Sequence, residues 1–364
     1  MDRSSVAILE FDPVLNELGS GKRLTDGLSV VCQVGRSLWV ASDEALSLER
    51  LTRKPPAGNG PWHYGQHQRF VLADYLSLPG GADEEADIEG LAYDGGYLWL
   101  IGSHSLKRKK PHLEEGPSQA RRQLARVTDD GNRYLLARIP LAAQGDEYRL
   151  VDRLQGEDRL LFAASLAGNK KGNELTRALS EDKHLGAFLA LPGKDNGFDI
   201  EGLAVAGERL FIGLRGPVLR GWAVILEIAL REDADDSELH LEPIGGAEYR
   251  KHFLQLDGLG IRDLCVDGDD LLILAGPTMD LDGPVQVFRW PGGTRCEEEA
   301  MVAVEGLQRV LDVPFGKGVE HAEGMALGPS DDGLPASLLV VYDSAAPKRM
   351  RQPASVEADI FNLP

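Results

Sequence analysis

The chain repeats itself, and that repeat constrains the fold more than any other feature. The segment "DIEGLAYDGGYLWLIGSHS" from Asp87 has a near copy, "DIEGLAVAGERLFIGLRG", from Asp199. Looser copies are "DGLSVVCQVGRSLWVASDE" from Asp26, "IRDLCVDGDDLLILAGP" from Ile261 and "AEGMALGPSDDGLPASLLVVYDS" from Ala322. Aligned, they place Gly27, Gly90, Gly202, Asp263 and Gly324 at one position. A large apolar residue follows (Leu28, Leu91, Leu203, Leu264, Met325), and then a small one (Ser29, Ala92, Ala204, Cys265, Ala326). Large-then-small suits a crowded inner strand, where one side chain fills the core and its neighbour permits close approach. After a Gly or Asp/Gly turn comes a continuous apolar run: "LWVAS", "LWLIGS", "LFIGL", "LLILAG" or "LLVVY". Such runs mark strands buried on both faces.

Two more strands are expected after each pair, "QLARVT" and "YLLARIP" in one unit, "AVILEIAL" and "ELHLEPI" in another. Four-stranded units recurring every 61 residues or so predict an all-β chain forming a single β-propeller over residues 1–364. A sandwich would not share one motif at so long a period. One interval is about twice as long as the others, so six blades are expected. The candidate for the missing unit is "LVDRLQGEDRLLFAAS" from Leu150, which lacks the Glu-Gly element. The alternative is five blades with an insertion over 142–190, where "NELTRALSEDKHLGAFL" reads as a short helix with a polar start. The N-terminal "VAILEF" is expected beside "ADIFNLP", closing the ring and removing its edges.

Charge narrows the partners. With 58 acidic and 39 basic residues the net charge is −19, which disfavours nucleic acid and anionic membrane. Against that background the run Lys107-Arg108-Lys109-Lys110 stands out, although a short basic run is most often a solvated loop. Cys32, Cys265 and Cys296 form neither metal-ligand spacing nor a disulfide framework. The N-terminal segment lacks the apolar stretch of a secretory signal, and no apolar run is long enough for a bilayer. The expectation is a cytoplasmic protein.

The loop entering an inner strand and the loop leaving its antiparallel neighbour share one face. Asp87 and Glu89 should therefore meet Ser103, His104 and the basic run. Collected from all units, the strand starts supply Asp26, Asp87, Glu89, Asp199, Glu201, Arg262, Asp263, Glu320, His321 and Glu323. The exits supply Asp43, Glu44, Ser103, His104, Lys107, Arg108, Arg215, Arg220, Asp280, Asp282, Asp343, Lys348 and Arg349. Converging carboxylates repel unless protons or a cation sit among them. Asp87, Glu89, Asp199, Glu201, Asp263, Glu320 and Glu323 are the candidate ligands of a divalent cation, Ca²⁺ or Mg²⁺. Lys107, Arg108, Arg215, Arg220 and Arg262 would hold an anionic substrate, and His104 or His321 would move a proton. No organic cofactor fingerprint is present. The plain alternative is that each carboxylate accepts backbone N–H groups and cements neighbouring blades. Trp39 and Trp99 read as core, and Cys265 as packing.

The two "DIEGLA" segments, the second continuing as "GFDIEGLAVAGERLFIGLRGPVLRGWAV", resemble an uncharacterised bacterial family, domain of unknown function family 3616. More distantly, the strand starts resemble phytase-like esterase and gluconolactonase-type six-bladed propellers. The resemblance implies a propeller-like fold and, through the distant relatives, a divalent metal held by axial carboxylates. Glu89, Glu201 and Glu323 match the Glu-Gly element, whereas Arg262 stands for Glu and Asp263 for Gly. Two functions are expected to compete. One is a metal-dependent hydrolase of a small anionic ester, phosphoester or lactone. The other is a non-catalytic propeller that binds a small anionic molecule or another protein.

Overall fold

In the computed structural model the repeat folds as hairpins stacked round an axis. The described residues are 5–19, 21–54, 60–82, 84–233, 238–279, 281–328, 336–351 and 353–363. Each "large-small" segment is an inner strand: Val30–Val34, Ile88–Asp94, Asp199–Ala206, Gly260–Asp267 and His321–Leu327. Each pairs antiparallel with the apolar run that follows it: Ser37–Ala41, Tyr97–Gly102, Arg209–Gly216, Asp270–Gly276 and Ser337–Asp343. These second strands are buried nearly end to end, as continuous apolar runs must be when sheets cover both faces. Trp39 and Trp99 lie in them and are buried.

The ring closes through contacts between successive inner strands. Ser29 Oγ donates to the Ile88 carbonyl at 2.9 Å. The Ile200 amide donates to Ser103 O at 2.8 Å. The Met325 amide donates to Asp263 Oδ2 at 2.7 Å. The Leu28 amide reaches Tyr342 O at 3.4 Å, joining the last unit to the first. The protein is thus an all-β propeller, and among the described residues five such inner hairpins pack in turn round its axis. The second inner strand packs directly on the third, so nothing stands between them on the axis.

The residues expected to form a further blade lie outside. "LVDRLQGEDRLLFAAS" makes a two-stranded hairpin, Arg153–Gln155 with Leu160–Phe162, and enters the short strand Ala164–Leu166, which pairs with Leu136–Gln144 on one side and Glu238–Glu242 on the other. The expected helix is Glu174–Leu179, started by Asn173, whose side chain accepts from the Thr176 amide at 3.1 Å. "QLARVT" is not a blade strand. It spans the end of the helix Pro117–Leu124 and the short strand Val127–Thr128, while "YLLARIP" supplies the third strand, Leu136–Gln144. "AVILEIAL" and "ELHLEPI" pair as expected within Trp222–Glu232 and Glu238–Glu242. Ser5–Glu10 pairs antiparallel with Ser355–Asn362, so both chain ends complete the last sheet. Among the described residues no helix is long and apolar enough to cross a membrane.

The repeated glycine is explained by how closely inner strands approach. A Cβ at Gly90 would lie 2.9 Å from Leu203 N. At Gly202, with φ +113, it would lie 2.8 Å from Asp263 Cα. Gly202→Ala therefore meets backbone and strain together, and we expect a loss of about 3 kcal/mol in chemical denaturation. Gly207→Ala, at a turn with φ +60 and open space around it, should lose only about 1 kcal/mol. Equal losses at the two positions would contradict this packing.

Candidate functional site

Four inner strands lose register at the same place, and each break is a β-bulge. Pairing passes from Ile88↔Gly102 to Gly90↔Ile101, leaving Glu89 unpaired in the ladder. It skips Arg262 between Ile261 and Asp263, and Glu323 between Ala322 and Gly324. In the third sheet it jumps from Ile200 to Leu203 across Glu201 and Gly202. A bulge holds one extra residue and re-aims its side chain. The Glu-Gly element is therefore a bulge repeat that turns Glu89, Glu201, Arg262 and Glu323 out of the ladder, into one cluster. The strand Val30–Val34 pairs regularly and contributes no such residue.

Arginines neutralise most of the cluster. Arg262 Nε lies 2.9 Å from Glu201 Oε2, and its Nη2 contacts Glu323. Arg215 Nη1 lies 2.7 Å from Glu201 Oε1, and its Nη2 contacts Asp199. Asp87 pairs with Arg133 Nη1 at 3.0 Å. Glu320 takes Lys348 at 2.9 Å and Arg349 at 3.3 Å. Asp263 accepts the backbone amides of Leu264 and Met325 at 2.8 and 2.7 Å, which makes it mortar between sheets.

Glu89 differs. Among the described residues no hydrogen bond or ion pair reaches its carboxyl, and it is only partly buried. Burial, followed by the charges of Glu201, Asp87 and Glu323, holds it well above the usual carboxylate range. Burial also raises Glu323, against the pull of Arg262. Burial pushes Asp43 up to about 7, helped by Asp87 and Asp343. The arrangement is an acidic axial mouth in which the buried guanidiniums are already taken.

Asp87 meets Ser103 as expected, but the basic run reaches Glu85 rather than Asp87 or Glu89. The Ser103 amide donates to Asp87 O at 3.1 Å, and Lys107 Nζ sits 3.5 Å from Glu85. The remaining expected residues scatter. His104 turns away from the axis. Its Nδ1 donates to Gly102 O at 2.8 Å and its Nε2 accepts from Asn173 Nδ2 at 2.7 Å. Burial lowers it to about 4, so it is a satisfied neutral imidazole with no nitrogen left for proton transfer. His104 lines a separate cavity of about 500 Å³ with Tyr134, Asn169, Lys171 and Leu189. None of the bulge residues lines that cavity. His321 stays near the mouth, 3.3 Å from Asp282 and 4.0 Å from Asp343. Arg220 is exposed in a turn and Arg108 pairs with Asp195 at 2.7 Å, so neither joins the cluster. Glu44 contacts Lys22, Asp26 lies 3.8 Å from Arg23, and Asp280 lies outside the described residues. Burial, with the charges of Asp263 and Asp267, keeps Cys265 at about 12, consistent with packing.

A divalent cation does not fit the seven carboxylates expected to hold it. Six already have a guanidinium, an ammonium or backbone amides. Among the described residues no three His, Cys, Asp or Glu side chains converge as a metal-ligating group. Sequence reading missed Arg133, whose signal is weak because it sits outside the repeat, in the third-strand approach at 131–134. It also missed Lys194, whose charge favours ionisation of Asp43 and Glu201 from the turn Gly193–Asp195 that precedes the third inner strand.

Residues 27–359 match the family described as "Protein of unknown function (DUF3616)". No curated protein matches the chain. Among solved structures, glutaminyl cyclase from Myxococcus xanthus aligns at 10% identity and TM-score 0.37, covering 93% of each chain. A putative oxidoreductase (glucose dehydrogenase) from Thermus thermophilus aligns at 11% and 0.37, covering 98% of this chain and 100% of the other. The PQQ-bound aldose sugar dehydrogenase from Streptomyces coelicolor aligns at 12% and 0.34, covering 92% and 95%. At these TM-scores the likenesses carry no argument about what this chain does.

Two outcomes follow from the cluster. Removing Arg262 leaves Glu201 and Glu323 without their shared cation, so Arg262→Ala should cost about 3–5 kcal/mol near neutral pH. Added Ca²⁺ should recover part of that loss in the variant and do nothing to the wild type, as thermal unfolding would read. Asp43 binds its proton more tightly folded than unfolded. Its contribution is full below the unfolded carboxylate range and is lost as pH rises toward about 7. Asp43→Asn should therefore flatten the fall in melting temperature across that window. An unchanged slope would mean that Asp43 is not held protonated.

Proposed function

The chain belongs to the DUF3616 family of unknown function, and within it we propose that this protein is a ligand-binding propeller whose acidic axial mouth receives a cationic group. One observation carries the reading. Glu89 is the bulge carboxyl without a partner, while Arg215 and Arg262, expected to hold an anion, are both committed to carboxylates. A ligand anion would have to displace a buried ion pair and enter a field of Asp43, Glu89, Glu323 and Asp343. An amine or guanidinium meets carboxyls that can ionise against it, Glu89 among them without a partner. The paired ring beneath gives Glu89 a rigid setting, so little reorganisation is needed on binding.

A second reading, hydrolysis of a small ester or lactone, draws on the same residue. A carboxyl held protonated beside partnered carboxylates is suited to general acid work. Binding is preferred because, among the described residues, the mouth offers neither a nucleophile activated by a base nor a free donor pair for an oxyanion.

The test is calorimetric titration with spermidine, agmatine, phosphate and citrate, followed by an assay with a chromogenic ester and a lactone. The expected result is binding of an amine that releases protons near neutral pH, with affinity reduced at least tenfold in Glu89→Gln at unchanged melting temperature. Binding of phosphate or citrate instead, or amine binding untouched by Glu89→Gln, would reject the reading. Turnover lost in the same variant would favour hydrolysis.

A further inference from the structure

The basic run opens an excursion that the axis does not use. After Ser105 the chain leaves the second sheet, forms the short ladder Lys107–Arg108 with Val127–Thr128, and carries the helix Pro117–Leu124 between them. Its root is fixed at the rim: the Gly193 amide donates to Leu106 O at 3.0 Å, and Arg108 pairs with Asp195. Among the described residues, nothing buries its tip: residues 109–119 are exposed or half-exposed.

Residues 107–128 hold seven basic and two acidic side chains, a net +5, so the rest of the chain carries −24 against the overall −19. Lys109, Lys110, Arg121, Arg122 and Arg126 are exposed, and among the described residues none of them makes an ion pair. Unpaired cations on so acidic a protein are conspicuous, since the body offers carboxylates in excess. Apolar side chains stand among them: Leu113 is 77% exposed, Leu124 49% and Val127 41%. Large exposed apolar residues grouped with charge mark interaction surfaces.

We propose that this excursion docks an acidic, leucine-bearing peptide segment of a partner protein. Phosphates of a nucleic acid would use the cations and leave the apolar residues wet. A duplex would also extend from the excursion over a body of charge −24, which repels it. A two-fold dimer through this face would set cation against cation. A short peptide with alternating acidic and apolar residues uses both chemistries and need touch only the excursion.

The experiment is fluorescence anisotropy with a labelled peptide built of Glu and Leu. Comparators are a Glu-only peptide and duplex DNA, with sedimentation of the unliganded protein alongside. The Glu/Leu peptide should bind, weaken with salt, and lose about tenfold or more when Lys109, Lys110, Arg121 and Arg122 are changed to Glu. Leu113→Ser with Leu124→Ser should weaken it several-fold while leaving the salt dependence intact. All six positions are exposed, and unchanged melting curves verify that the variants fold. Duplex DNA or the Glu-only peptide binding as tightly, or indifference to both sets of substitutions, would overturn the proposal. So would a dimer that the charge reversals dissociate.

Discussion

Arg262 decides what the axis of this propeller can be. It occupies the bulge that presents Glu89, Glu201 and Glu323 in other sheets, and it bridges the last two. A fourth carboxylate there would leave a ring of like charges stable only with a cation or retained protons. A guanidinium converts most of that ring into an internally neutralised lattice, completed by Arg215 on Asp199 and Glu201. Buried ion pairs add little net stability, but breaking one exposes its partner's full desolvation cost. The lattice therefore fixes geometry more than it adds stability. It also concentrates chemical opportunity on the one bulge acid it leaves out, Glu89.

The repeat made the architecture legible because it encodes two geometric demands at once. The glycine records the close approach of neighbouring inner strands, and the large-small pair records which side chain fills the space between them. Chain closure by "VAILEF" was readable for a similar reason: an isolated apolar strand at each end leaves two edges that can cancel. Sheet number was less legible. The long interval counts as two units only if all of it is blade, whereas 153–190 holds a small hairpin, one short strand of the main sheet and a helix. No local pattern in "LVDRLQGEDRLLFAAS" excludes an inner strand. Its place away from the axis goes with the direct packing of Gly90 against Leu203.

The site was legible in position and illegible in pairing. Asp87 does meet Ser103, while His104, Arg108 and Arg220 lie away from the cluster. Which carboxylate finds which cation depends on distances between units far apart in sequence. Arg133 reaches Asp87 from the approach to a third strand, which the repeat does not mark. His104 shows the limit most clearly. Its place on the rim suggested proton transfer, yet a left-handed backbone, φ +53, directs the ring toward Asn173 and away from the mouth. Charge behaves differently again: the molecule separates a strongly acidic body from one basic excursion, and that contrast could be read from sequence alone.

Whether guanidiniums or a metal ion balance the axial carboxylates decides the chemistry open to this propeller. Elemental analysis of the purified protein, paired with thermal unfolding in the presence and absence of a chelator, answers it directly. A lattice neutralised by Arg215 and Arg262 requires no stoichiometric divalent ion and the same melting temperature in both conditions. A stoichiometric Ca²⁺ or Mg²⁺ whose removal lowers the melting temperature would contradict it.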